Sequence, residues 1–165
     1  MEFIFPAHRA SWDPKTDFRF KMLTPEDWAN RKALYARQLE IVTLLHREGV
    51  KFLAGTDLSN PYIYPGFSLH DELAALVKAG FTPAEALRAA TIDPARYLGA
   101  ADSLGSIAVG KRADLVLLEA NPLDDIHNTT RIAAVVADGR FYDAAAIRKL
   151  LNDAKARVRT PMPMR

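Results

Sequence analysis

The spacing of apolar and polar residues changes several times along this chain, and each change marks an element. Thr24-Pro25-Glu26-Asp27 is a helix start, with a capping threonine, proline at the first helical position and an acid able to reach back. The pattern predicts a helix from about residue 24 to 48, burying Leu34, Ile41, Val42 and Leu45 and closed by Gly49. Residues 50–57 follow as a short apolar run ending in Asp57, which reads as a buried parallel strand between helices. Side chains alternate along a strand, so Phe52, Ala54 and Thr56 should face one way and Leu53, Gly55 and Asp57 the other. Residues 61–67 form a loop rich in proline, glycine and tyrosine. Ser68 opens a second helix with a Leu69, Leu73, Leu76, Val77 stripe and Gly80 as its stop. Thr82-Pro83-Ala84-Glu85 starts a third helix running to about residue 91, and Asp93-Pro94 a short turn of helix ending near Gly99.

Beyond residue 104 the period shortens to that of strands. Residues 106–109 and 113–119 read as strands around a Gly110-Lys111 turn. Residues 132–136 and 141–142 flank Asp138-Gly139, the best hairpin signal in the chain. A last helix is expected over about 144–156, carrying Ile147, Leu150, Leu151 and Ala154 on one face, with a disordered tail after residue 160. Residues 1–23 alternate Phe3, Phe5, Phe18 and Phe20 with prolines and read as a long loop. The expected division is a first part over residues 1–98 and a small β module with its helix over 99–165.

Composition narrows the class without naming a function. The 165 residues are 49% hydrophobic and 25% charged, enough apolar material for one core. A formal net charge of +2 points to neither nucleic acid nor an anionic membrane. With no cysteine there is no disulfide framework, thiolate metal site or cysteine nucleophile, which fits a cytoplasmic protein. No apolar run approaches the roughly 20 residues that span a bilayer, and the first residues lack the pattern of a signal peptide.

Candidate chemistry is sparse. The segment from Gly105 to Lys111-Arg112 approaches the G-x-x-x-x-G-K-[ST] phosphate loop, but Arg112 stands where magnesium needs a hydroxyl, and Ile107, Ala108 and Val109 fill the anion nest. His8, His46, His70 and His127 show no His-x-His or His-x-x-x-His spacing. His46 reads as a surface residue near a helix end, and His70 as a capping or packing residue close to the Asp57 loop. Arg88, Thr91 and Asp93 read as helix braces. Asp57 has two readings: a turn former, or a polar group at the end of a strand where an α/β barrel gathers its active-site loops.

The order of several motifs resembles the carboxyl-terminal part of the metal-dependent amidohydrolase superfamily, nearest its imidazolonepropionase-like and prolidase-like branch. The residues that carry it are Ala54-Gly55-Thr56-Asp57, then Pro65-Gly66-Phe67-Ser68-Leu69-His70-Asp71-Glu72-Leu73, then the run from Ala79-Gly80-Phe81-Thr82-Pro83 to Arg88-Ala89-Ala90-Thr91. Gly105-Ser106-Ile107, Gly110-Lys111-Arg112-Ala113-Asp114-Leu115-Val116 and Asn121-Pro122-Leu123 complete it. The resemblance implies an α/β fold, the carboxyl-terminal part of a (β/α)8 TIM-type barrel followed by strands of a small β-sandwich. It implies a metal-dependent hydrolase of C–N bonds in an amide, cyclic amide or small peptide, with Asp57 as both metal ligand and catalytic carboxylate. The implied cofactor is a divalent metal, zinc first, and the implied substrate a small-molecule amide or dipeptide. The His-x-His pair and further histidines of such enzymes have no counterpart in this sequence. The expected partner is therefore an amino-terminal portion or a second copy of the chain, with no nucleic acid and no membrane. The alternative is a non-catalytic remnant or interaction module.

Overall fold

The computed structural model describes residues 2–58 and 60–159. Its elements are α1 (Pro6–Ser11), α2 (Pro25–Arg47), α3 (Ser68–Lys78), α4 (Pro83–Ala89), α5 (Ile92–Tyr97), β1 (Leu115–Leu118), a 3-10 turn at Ile126–Thr130, β2 (Ile132–Ala137), β3 (Arg140–Asp143) and α6 (Ala144–Arg159). The fold is of mixed α/β class. The tail expected to be disordered lies outside the described residues.

Local chemistry sets the helix ends. Thr24 Oγ1 accepts the Asp27 N–H at 3.1 Å while the Asp27 carboxylate accepts the Thr24 N–H at 2.8 Å. Thr82 and Glu85 repeat the arrangement at α4, with distances of 3.2 and 2.8 Å. Helix α2 stops at Gly49, whose φ of +79° is left-handed. There the Gly49 N–H donates to His46 O and the Val50 N–H to Leu45 O, both at 3.0 Å. That pair of bonds is the Schellman ending, and it turns the chain directly into residues 50–57.

The core gathers Leu73 and Leu76 of α3, Ala79, Phe81, Ala86 and Ala89 around α4, and Ile126 of the 3-10 turn. Leu39 and Val42 of α2 and Phe52 and Ala54 of the extended segment pack against it. The predicted alternation of residues 50–57 holds: Phe52, Ala54 and Thr56 are half-buried, while Leu53, Gly55 and Asp57 are exposed. The predicted strand does not form. Residues 50–57 run extended but belong to no ladder, because no described residue lies alongside as a second strand. Their inner attachment is one backbone bond, Ala54 N–H to Ala89 O at 2.9 Å, supplemented by Gly55 N–H to Glu72 Oε1 at 3.4 Å.

Three further expectations are corrected. Of the four α2 residues expected in the core, Leu34, Ile41 and Leu45 are 41–58% exposed and only Val42 packs inward. Helix α2 touches the core along its Leu39–Val42 side only. Residues 106–109 form no strand; they bend and turn, with Ile107 and Val109 fully open to solvent. The region expected as a long loop over residues 1–23 holds more structure within its described residues 2–23, which contain α1 and bury Ile4, Trp12 and Asp17. Asp17 accepts a two-pronged Arg19 guanidinium at 2.9 and 2.7 Å, and that hydrogen-bonded cation holds its carboxyl below the usual range.

The strands form one antiparallel sheet in the order β1-β2-β3. Val116 stands opposite Val135 and Leu117 opposite Ala134; Val136 stands opposite Phe141 across the hairpin. Asp138 and Gly139 both take positive φ, 50° and 72°, the requirement of the tight hairpin turn. Gly105 joins this half to α5, and there a Cβ would lie 2.8 Å from Ala95 Cβ and from Thr91 O. Only glycine fits that position.

The α4 capping box carries a pH dependence. The Thr82 N–H and hydroxyl, then His46, hold the Glu85 carboxyl below its ordinary value of 4.5. A depressed carboxyl adds stability above the unfolded value that disappears as pH falls through the folded one. Acid titration followed by circular dichroism should therefore show stability lost below about pH 4.5. Thr82→Ala should cost about 1 kcal/mol at neutral pH and flatten that acid dependence; an unchanged urea midpoint would separate the box from α4 stability.

Candidate functional site

Asp57 ends the extended segment in a left-handed conformation, φ 54°, which a non-glycine residue adopts uncommonly. The turn is closed by Asn60. Its amide donates to Asp57 Oδ2 at 2.6 Å and to the Asp57 carbonyl at 3.2 Å, and its N–H reaches the same carbonyl at 3.3 Å. The carboxylate is exposed, with its orientation set by that amide.

The following loop is held from beneath by the amino-terminal region. Tyr62, also at positive φ (66°), donates its hydroxyl to the Trp12 carbonyl at 2.5 Å. The Trp12 ring lies 5.9 Å from the rings of both Tyr62 and Tyr64, and Phe67 packs on Phe3 at 5.1 Å. Tyr64 N–H donates to Ser68 Oγ at 2.8 Å, fixing the loop to the start of α3. One step back along the chain from Asp57, Thr56 lines a cavity of about 250 Å³ with Tyr35, Tyr62, Ser68, Asp71 and Glu72. A hydroxyphenyl-walled recess with two carboxylates therefore adjoins the carboxyl end of the segment. A larger cavity of about 490 Å³ lies at the opposite end, among Gly49, Lys51, Phe52, Glu85 and Arg88.

His70 is placed near this loop by α3, but its ring is engaged elsewhere. Nδ1 lies 3.0 Å from Thr129 Oγ1, and the Thr129 hydroxyl donates to Ile126 O at 2.8 Å. A hydroxyl has one proton, so Thr129 must accept from His70, which makes Nδ1 the protonated nitrogen. His46, expected at the surface, is instead half-buried: its ring stacks on Phe81 at 3.8 Å, and Nε2 lies 3.4 Å from Glu85. His127 pairs with Asp125 in an exposed turn. Arg88 and Arg96 do brace Asp93, at 3.6 and 3.0 Å. Lys111 Nζ is held by Ala101 O at 2.6 Å and Ser106 Oγ at 2.5 Å, so the near phosphate-loop motif has no free lysine.

The residues present do not fit the implied metal. Catalytic zinc is held by about three protein ligands. Among the described residues no three His, Asp or Glu side chains come together in a way that could hold an ion. Asp57 has an amide as its neighbour, and His70 is bonded to Thr129. Sequence reasoning missed the Trp12 support of the loop and the Thr129 partner of His70. The first lies 50 residues from Tyr62 and the second 59 from His70, so neither leaves a local signal.

A family model described as the amidohydrolase family matches residues 27–142. Ochratoxinase from Aspergillus niger is 36% identical over 138 residues, covering 81% of this chain and 28% of its own length. Imidazolonepropionase from Pseudomonas putida is 44% identical over 80 residues, covering 48% of this chain and 20% of its own. Among solved structures, a bottromycin amidohydrolase superposes with a TM-score of 0.79 at 30% identity, over 96% of this chain and 34% of that one. The chain thus spans less than a third of the curated relatives it matches. No helix among the described residues is long and apolar enough to cross a membrane.

The hydrogen bonding of His70 gives a direct check. Nitrogen NMR should find neutral His70 as the Nδ1–H tautomer, and Thr129→Val should lower stability by about 1 kcal/mol through the lost acceptor. An Nε2–H tautomer in the parent would refute the assignment.

Proposed function

Because the chain belongs to the amidohydrolase family, we propose that it is part of a hydrolase of C–N bonds, acting on an amide, a cyclic amide or a small peptide, with Asp57 as its catalytic carboxylate. The observation that carries this is the geometry at the end of residues 50–57. Asp57 is exposed, set in a left-handed turn, oriented by Asn60 and followed by an aromatic loop. A carboxylate so placed takes a proton from the attacking water as its oxygen bonds to the carbonyl carbon. It then returns that proton to the leaving nitrogen as the C–N bond breaks. Tyr62, Tyr64 and Phe67 supply an apolar wall beside it. Support comes from the relatives named as hydrolases, a bottromycin amidohydrolase and an ochratoxinase.

The site proposed here is not self-sufficient. This chain corresponds to the carboxyl-terminal part of a barrel enzyme, and a divalent ion would need donors that these residues do not assemble. The same shortage favours a second reading, an interaction module that keeps the fold without the chemistry.

In an assembled enzyme, Asp57→Asn should lower kcat by about 10²–10⁴-fold with an unchanged circular dichroism spectrum. Near-parental turnover of that variant against amides and dipeptides would remove Asp57 from the mechanism and leave the interaction module.

A further inference from the structure

The larger cavity, about 490 Å³, lies at the start of the extended segment, at the opposite end from Asp57. Small-molecule sites run from about 300 to 1,000 Å³ and set a few converging polar groups in apolar walls. This cavity has that make-up. Part of its wall is aromatic: Phe52 and Phe81 meet edge-on at 5.3 Å, and the His46 ring stacks on Phe81 at 3.8 Å. All of its lining residues fall within residues 46–52 and 81–93 of this chain.

Charged groups line the rest, and they are unequally spent. Glu85 Oε2 accepts the Thr82 N–H and hydroxyl, both at 2.8 Å, while Oε1 lies 3.4 Å from His46 Nε2. Asp93 Oδ1 accepts from Arg96 at 3.0 Å. Both carboxylates are therefore engaged by donors of the chain itself. The cations are not. Lys51 Nζ has no hydrogen bond or ion pair among the described residues. Arg88 meets Asp93 only at 3.6 Å, outside hydrogen-bond reach, and its guanidinium N–H groups have no acceptor among the described residues. A lone surface lysine implies no ligand. Here two cations with unused donors, one from the segment and one from α4, line one aromatic-walled cavity.

We propose that this cavity is a binding site for a small organic monoanion with a flat apolar body, an aryl carboxylate in chemical class. Its carboxylate accepts a forked pair of N–H bonds from Arg88 and a third from Lys51, and its ring fills the space along Phe52 and Phe81. Size and charge set the class. A carboxyl group alone leaves most of the cavity empty. A dianion such as phosphate meets twice the repulsion from Glu85 and Asp93 that a monoanion meets. The site lies away from Asp57 and its readout is binding, not turnover, so it and the hydrolase reading can fail separately.

The test uses the 165-residue chain, with benzoate as probe and benzamide as its uncharged match. Chemical-shift mapping should place benzoate at residues 46–52 and 81–93 with a Kd on the order of 1 mM, and benzamide about tenfold weaker. Lys51→Gln removes the charge of an exposed side chain and should weaken benzoate about tenfold while leaving benzamide unchanged. Ala84→Leu, at an exposed position on the cavity wall, adds bulk without charge and should weaken both probes. Four results overturn the proposal: no saturable benzoate shifts, or shifts centred on residues 57–67; benzamide binding as tightly as benzoate; parental benzoate affinity in either variant; or inorganic phosphate competing at equal affinity.

Discussion

The ring of Phe81 is where the separate pieces of this molecule meet. It stacks on His46 at the end of α2, meets Phe52 of the extended segment edge-on at 5.3 Å, and belongs to the cluster formed by α3, α4 and Ile126. Helix α2 reaches the core mainly through this contact and through Leu39 and Val42. Thr43 adds a polar tie, its hydroxyl 2.8 Å from Ala79 O and 2.9 Å from Leu39 O. The Schellman turn at Gly49 sets the direction in which the chain leaves α2, and Phe52 against Phe81 anchors the residues that follow. With it, residues 50–57 leave α2 along the face of α3 and α4, and Asp57 emerges at the far end.

Elements whose cause is local could be read from the sequence. The two capping boxes, the glycine stop of α2 and the Asp138-Gly139 hairpin each depend on four or five neighbouring residues, and each stands where the pattern placed it. Elements whose cause is a neighbour elsewhere in the chain could not. Residues 106–109 have the alternation of a strand and nothing to pair with, and Lys111 draws the turn back onto Ala101 instead. Residues 50–57 satisfy the period of a strand without a ladder, which periodicity cannot distinguish. In the amino-terminal region, Trp12 meets Tyr62 and Tyr64 far along the chain, so the local pattern read as loop. The burial of α2 was over-read for a related reason: amphipathic spacing reports what a helix is patterned to cover, not what covers it.

The candidate site was legible unevenly. Asp57 stood out through the family's motif order rather than its own spacing, since an aspartate after an apolar run is also an ordinary turn former. Its left-handed φ and the Asn60 clamp are properties of a four-residue turn that the string Asp-Leu-Ser-Asn leaves open. The aromatic loop was recognisable by composition, but its support by Trp12 was not. His70 illustrates the converse. The sequence placed it beside the loop, and a hydrogen bond to a threonine 59 residues away turns the ring to a structural task.

Catalysis by a carboxylate depends on how firmly it is held, because reacting groups must sit within about 0.5 Å of the productive position. Asn60 fixes the Asp57 side chain relative to its own backbone, which is the short-range half of that requirement. The long-range half is the position of the backbone itself, and here the ties are few: the Ala54–Ala89 bond, the long Gly55–Glu72 contact and the packing of Phe52 and Ala54. Ala54 and Gly55 are adjacent, so along an extended segment their N–H groups point to opposite edges, with one bond at each. Asp57 lies three residues past the Ala54 bond, so its backbone position rests on these few contacts of the extended segment. In its proposed role as a catalytic carboxylate, Asp57 therefore depends for its long-range placement on two hydrogen bonds and two half-buried side chains.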